Sequence, residues 1–383
     1  MNKKLNSRYD ITKTFSYNKR SWPFERIYDK NEKIKKLLWN YGIETDFFWY
    51  KTNLPIWVAA WPLYNERYMK WAAKDWFEVI TWKTFRSVHR KAHTSDWKHL
   101  WHNILFIPTD QITDKMIWTK LVWSLDYNWK KEDISITNSF GMPSDTIPEW
   151  INSIVNIEKF AKENNKKVIT SVVWTPKENW TIEDLALDYA FLARTAEFTW
   201  SKIIELNFSC PNVNWWEWAI FKDIENSLII AKNTRKFLHS SDTKLLIKMW
   251  YAPEYYYRDF MSQLSNYIDW IVAINTVPMQ IVDKDDKQAL PWWLISWTCW
   301  KAVLGLALDA VTSLRKAKTS LWEQAKHIKI IGCGGVMDAE SFIMHIDAWA
   351  DFVMCATAAL FNPDLPIDIA KFINKHKIKR VII

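Results

Sequence analysis

Two rhythms alternate along the chain. Short β-branched or apolar runs end in polar residues, and longer amphipathic segments follow them. That alternation predicts βα units around a parallel sheet, whose strands are covered on both faces and so read as continuous apolar runs. The runs predict strands over 56–60, 79–81, 168–173, 203–208, 245–249, 271–274, 328–331 and 352–355. The amphipathic segments predict helices over 65–75, 147–164, 182–198, 223–238, 254–267, 301–318, 338–346 and 359–374. Thr181 followed by Asp184 reads as a capping box at the start of the third helix. Eight such units predict an α/β fold, a closed (β/α)8 TIM barrel; the alternative is a doubly wound open sheet.

The rhythm lapses in two places. Residues 1–45 are polar, charged and aromatic without a clear period, which predicts an N-terminal extension packed on a main domain of 46–383. Between the second and third strands, about 84–146, lies an insertion with two further strand-like runs at 104–107 and 134–136. It is expected as a loop region over the barrel mouth.

Composition narrows the function classes. The chain has 383 residues, 49% of them apolar, which is ample for a core. It has no apolar run of membrane-spanning length, and its N-terminus is polar, so a cytoplasmic protein without a membrane partner is expected. Lys and Arg number 51 against 43 Asp and Glu, a net charge of +8. This suits anionic ligands, but the basic residues are scattered, and no nucleic-acid partner is expected. Cys210, Cys299, Cys333 and Cys355 form no CxxC pair, against a zinc ribbon or a disulfide framework. His89, His93, His99 and His102 cluster in the insertion without completing a ligand set, so no metal is expected.

One count is abnormal: 28 Trp stand against 6 Gly. Average usage of about 7% would give roughly 27 glycines. Several tryptophans also sit where turn chemistry wants glycine. Trp61 precedes Pro62, Trp215-Trp216 follow Asn212-Val213-Asn214, and Trp292-Trp293 follow Pro291. Tight turns need a residue without Cβ, and an indole is the worst substitute. The expectation is that most of these positions are glycine in the functional protein, through a UGA codon that its source reads as glycine.

Candidate chemistry gathers at strand ends. The run Ile204-Glu205-Leu206-Asn207-Phe208-Ser209-Cys210-Pro211-Asn212-Val213 delivers amides, a hydroxyl and a thiol to the carboxyl end of a buried strand. Cys210 could serve as base or nucleophile, or as a structural thiol. Lys83 and Lys248 follow or lie within apolar strands, where lysine is rarely buried unpaired. Asn275-Thr276 ends the sixth strand. Ile330-Ile331-Gly332-Cys333-Gly334-Gly335 runs an apolar strand into glycines before Asp338, a pattern that makes an anion-binding turn.

With Trp read as Gly, these stretches resemble the dihydroorotate dehydrogenase family along nearly all of 50–363. The resemblance is carried by Pro55 to Pro62, Asn138 to Pro143, Asn207 to Val213, Pro291 to Lys301, Ile330 to Gly335 and Ala356-Thr357, the third being the most specific. It implies an FMN-binding (β/α)8 barrel that oxidises dihydroorotate to orotate in pyrimidine synthesis. Carried over residue by residue, Cys210 resembles the base that takes the C5 proton while the C6 hydride passes to flavin N5. Lys83, Asn138, Gly141, Met142, Asn207, Asn212, Asn275 and Thr276 match substrate-holding positions. Ala60, Trp61, Lys83, Thr84, Asn207, Lys248, Trp297, Gly334, Gly335, Ala356 and Thr357 match flavin-holding ones. Ala356 stands where the family usually has glycine. A cysteine base is similar to the soluble class, whereas the membrane-associated class generally has serine. The resemblance also implies a homodimer, with an electron-transfer subunit as a candidate partner. The alternatives are a dihydropyrimidine dehydrogenase-like reductase, which usually has His at the position of Asn212, and an FMN-dependent tRNA dihydrouridine synthase, which needs a basic helical domain.

Overall fold

A parallel strand must hide both faces, and this chain hides them by closing its sheet. The computed structural model describes residues 7–10, 13–21, 45–47, 50–52, 54, 56–93, 103–109, 111–124, 135–138, 140–175, 177–209, 222–290 and 294–378. Eight strands form the barrel: β1 (Ile56–Val58), β2 (Val79–Thr81), β3 (Lys167–Val172), β4 (Ile203–Asn207), β5 (Lys244–Lys248), β6 (Trp270–Ala273), β7 (Lys329–Cys333) and β8 (Phe352–Cys355). They pair in parallel in sequence order, and β8 closes on β1 through Cys355 opposite Val58. The eight-unit barrel expected from the hydrophobic rhythm is therefore the fold.

A helix returns the chain after each strand: α1 (Glu66–Lys74), α2 (Ile147–Glu163), α3 (Ile182–Phe198), α4 (Ile224–Phe237), α5 (Glu254–Leu264), α6 (Leu304–Ser320), α7 (Ala339–Asp347) and α8 (Leu365–His376). The Thr181 capping box is formed. Thr181 Oγ1 accepts from the Asp184 amide at 3.2 Å, and the Asp184 carboxylate accepts from the Thr181 amide at 3.1 Å. The segment expected as one helix over 359–374 is instead two, Thr357–Phe361 and Leu365–His376. Pro363 lies between them, without an N–H to continue the first.

Two apolar cores result from closure. One lies between strands and helices. The other fills the barrel itself with inward-facing residues such as Val79, Ile169, Ile203, Leu246 and Ile331. At its floor Trp57 stacks on Phe352 with ring centroids 4.4 Å apart. Side chains alternate along a strand, so on β4 the inward series is Ile203, Glu205, Asn207, climbing from floor to mouth.

The insertion after β2 is not only loop. Its strands Ile104–Ile107, Lys120–Val122 and Ser135–Asn138 join Val277–Val282 and Ile295–Trp300, an excursion after β6, in one five-stranded sheet. That second excursion escaped the sequence pattern. Pro278 demotes its first strand, and its second, ISWTCW, shows no clean apolar alternation.

The N-terminal segment packs on the barrel's helices. Arg8 forms a buried ion pair with Asp75 at 3.2 Å, and its amide bonds Leu360 O at 2.7 Å. Tyr9 and Phe15 lie edge-on or tilted against Tyr64 and Phe140. Among the described residues no helix is long and apolar enough to cross a membrane.

Several helix ends carry an unexpected residue. Trp76, Trp200 and Trp349 follow the C-caps of α1, α3 and α7 with φ of +72, +70 and +71. Each occupies the left-handed position of a Schellman turn. Phe77 N bonds Ala72 O at 3.3 Å, Ser201 N bonds Ala196 O at 3.2 Å, and Ala350 N bonds His345 O at 3.0 Å. Glycine is the usual occupant, because a Cβ there meets the following carbonyl. Trp118 and Trp300 also have positive φ, +74 and +78. Trp200 and Trp349 are 65% and 58% exposed, so more than half of each residue lies in solvent. Trp200→Gly and Trp349→Gly should each stabilise the protein by roughly 1 kcal/mol. Urea unfolding would read this as a raised midpoint; a midpoint that falls would refute the strain.

Candidate active site

The carboxyl ends of the strands surround a cavity of about 830 Å³, counted to the open solvent. Its polar wall is built outward from β4. Asn207 donates through Nδ2 to Thr84 Oγ1 at 3.2 Å and accepts the Ser209 amide on Oδ1 at 3.2 Å. Its own carbonyl accepts from Tyr189 Oη at 2.9 Å, so both the side chain and the backbone are held. Thr84 Oγ1 lies 2.9 Å from Ser171 Oγ, which donates to Glu205 Oε1 at 2.7 Å. A buried hydrogen-bonded chain thus runs from the cavity wall to a carboxyl one layer deeper. Burial raises the Glu205 pKa, while Lys248 and the Ser171 hydroxyl oppose that rise.

Two lysines reach the cavity. Lys248, 2% exposed at the end of β5, approaches Ala60 O at 3.5 Å. Lys83 donates to Pro143 O. Among the described residues no carboxylate lines the cavity, so the two ammonium groups make it a place for an anion. Asn275, after β6, donates to Ser209 O at 2.9 Å and so ties the sixth strand end to the fourth. Thr276 Oγ1 is buried at the cavity wall with no partner among the described residues.

The turn after β7 supplies backbone donors. Gly334 and Gly335 have φ of +114 and +76. A Cβ on Gly335 would lie 2.5 Å from Leu304 Cα at the start of α6, so only glycine fits this approach. Such turns present amides to anions, and late in a barrel they commonly take phosphate.

The three described cysteines are all buried. Burial pushes the Cys299 thiol up to about 12 and raises Cys333 and Cys355 as well. These three are poor bases at neutral pH.

The sequence-expected residues converge. Of the substrate set, Lys83, Asn138, Met142, Asn207, Asn275 and Thr276 line the cavity. Of the flavin set, Ala60, Trp61, Thr84, Lys248, Gly334, Gly335, Ala356 and Thr357 line it too. Cys210 and Asn212 lie outside the described residues, as do Trp215, Trp216, Trp292, Trp293, His99 and His102. Two residues stand off the wall. Trp297 is buried opposite Asn138 in the accessory sheet. Gly141, at φ +73, backs onto the His93 ring, where a Cβ would lie 2.5 Å from Nε2. Sequence reasoning missed Phe140, Cys299, Trp300, Cys333, Val336 and Cys355 as lining residues. Trp300 ends a strand that carried no strand signal; the others are apolar or thiol side chains that read as core.

Comparison with known proteins agrees with this geometry. A family model described as dihydroorotate dehydrogenase matches residues 129–376. A dihydroorotate dehydrogenase of Dictyostelium discoideum is 27% identical over 368 residues, 93% of this chain and 94% of that protein. The catalytic subunit of dihydroorotate dehydrogenase B (NAD(+)) from Thermodesulfovibrio yellowstonii is 28% identical over 61% of this chain and 74% of its own length. The subunit of the same name from Staphylococcus carnosus is 29% identical over 42% of this chain and 49% of its own length.

Glu205 offers a test that needs no ligand. Its folded pKa is raised, so its contribution to stability is present below the ordinary carboxylate pKa and is lost as pH rises through the folded value. Glu205→Gln should therefore leave urea stability unchanged near pH 4 and increase it at pH 8. A variant less stable at pH 8 than the parent would show that the buried charge is well compensated.

Proposed function

Because the chain belongs to the dihydroorotate dehydrogenase family, we propose that it oxidises dihydroorotate to orotate with FMN as its cofactor, in pyrimidine synthesis in the cytoplasm. One observation carries the reading. Two buried lysines, the Asn207 and Asn275 amides and a glycine turn, contributed by five different strand ends, meet in one cavity.

The residues that line the cavity suit FMN. Gly334 and Gly335 line it at positive φ in a turn packed too closely on α6 for a Cβ at 335, the Thr276 hydroxyl has no partner among the described residues, and Lys248 brings a positive charge to the wall. FMN, when bound, supplies the two-electron acceptor that the side chains lack. Lys83 and the Asn138, Asn207 and Asn275 amides orient the anionic substrate; the Lys83, Asn207 and Asn275 side chains are already held by neighbouring contacts. Cys210, three residues after Asn207, takes the C5 proton. Its assignment as base is supported by its place in the Asn207 to Val213 run and by the high pKa of each of the other three thiols. The words catalytic subunit in the names of the two bacterial relatives support a further, electron-transfer subunit as partner, and we infer a homodimer of this chain.

The same proposal includes glycine at most tryptophan positions. Three indoles at left-handed Schellman positions support it, as does Trp300 at φ +78 and ψ −138, ground that residues with a Cβ scarcely visit. So do the buried indole N–H groups of Trp61, Trp71, Trp82, Trp150 and Trp300, which have no partner among the described residues.

Two measurements test these statements. Cys210→Ala should still bind FMN but lose dihydroorotate oxidation by roughly 100-fold or more, the usual worth of a general base. Unchanged turnover, followed as bleaching of the yellow protein by dihydroorotate, would remove Cys210 from the mechanism. Peptide mass spectrometry of the protein from its own source should find glycine at 200 and 349; tryptophan there would end the recoding proposal.

A further inference from the structure

His345 has no part in the chemistry above, yet it sits directly behind the glycine turn. It lies on α7, is fully buried, and its Nε2 is 2.9 Å from Gly334 O. A carbonyl can only accept, so Nε2 carries the proton. Burial holds the ring's pKa down at about 4, which keeps it neutral at physiological pH. Nδ1 is then a buried acceptor with no partner among the described residues, a cost that an apolar side chain of the same size avoids. β7 also makes room for the ring. A Cβ on Gly332 would lie 2.4 Å from His345 Nδ1. Two unusual features, an orphaned nitrogen and a glycine inside a strand, thus serve one hydrogen bond.

That bond has a directional consequence. The Gly334–Gly335 peptide is planar and trans, so the Gly334 carbonyl and the Gly335 N–H point opposite ways. His345 draws the carbonyl toward α7, on the outside of the barrel. The Gly335 N–H is thereby turned the other way, toward the cavity that both glycines line. Without the imidazole, two glycines at positive φ could let this peptide rotate and present its carbonyl to an anion instead.

We propose that His345 is a positioning residue that sets the donor direction of the Gly334–Gly335 peptide, and so favours a flavin bearing a phosphate over the same flavin without one. The inference rests on the flavin reading of the cavity.

The test is binding of FMN and of riboflavin to the full chain, read by quenching of flavin fluorescence. His345→Phe keeps a ring but removes the donor; His345→Leu serves if the Phe variant does not fold. The donorless variant should bind FMN roughly tenfold more weakly, the worth of one hydrogen bond to a charged group. Its riboflavin affinity should match the parent's. His345→Gln, whose amide can donate to the same carbonyl, should recover FMN binding. Equal losses for both flavins would make His345 merely structural and overturn the proposal, as would undiminished FMN binding. A parent chain with glycine at the tryptophan positions that binds neither flavin would overturn the flavin reading itself.

Discussion

Closure of the parallel sheet is the constraint on which the rest depends. A barrel has no edge strands, and its interior must be filled by the residues that alternate inward on every strand. Here apolar residues fill the floor, with Trp57, Trp270 and Phe352 packed together. Toward the mouth the same inward positions turn polar, through Glu205 and Asn207 on β4 and Lys248 on β5. Parallel strands such as β4 and β5, apolar at one end and polar at the other, bring their polar ends to one rim when the sheet closes. The site is therefore a product of the closure.

Gathering polar groups there is costly unless something pairs them. The protein pairs most of them internally, along Asn207, Thr84, Ser171 and Glu205 and between Asn275 and Ser209. What faces the cavity is chemically selective: the ammonium groups of Lys83 and Lys248, the Thr276 hydroxyl and the amides of a glycine turn. All can donate to an anion. A charged ligand that spans the cavity pairs several of them at once, which links the energetics of the barrel mouth to ligand choice.

A second constraint comes from the backbone. The Schellman turns at Trp76, Trp200 and Trp349 have the hydrogen bonds of a glycine-terminated helix and an indole where glycine belongs. The fold's demand for left-handed residues is thus visible independently of residue identity. At Gly334 and Gly335 the same demand is met by glycine itself, and the anion-binding turn is formed without strain of this kind.

The hydrophobic rhythm of the sequence by itself determined the eight βα units, because a buried strand and an amphipathic helix leave local periods that need no knowledge of partners. It also showed which strand ends carry amides, ammonium groups and glycines, and the Trp-to-Gly imbalance. The excursion after β6 stayed hidden because Pro278 and the ISWTCW run erase the local signal, while its strands pair with residues 120–122 and 135–138 of the insertion. Tertiary structure alone decided that Phe140, Cys299 and Val336 line the cavity, that Trp297 and Gly141 stand off it, and that His345 reaches Gly334. On its own helix His345 is just another inward position. A period distinguishes inside from outside, but which atom an inward side chain meets depends on residues brought together from distant parts of the chain.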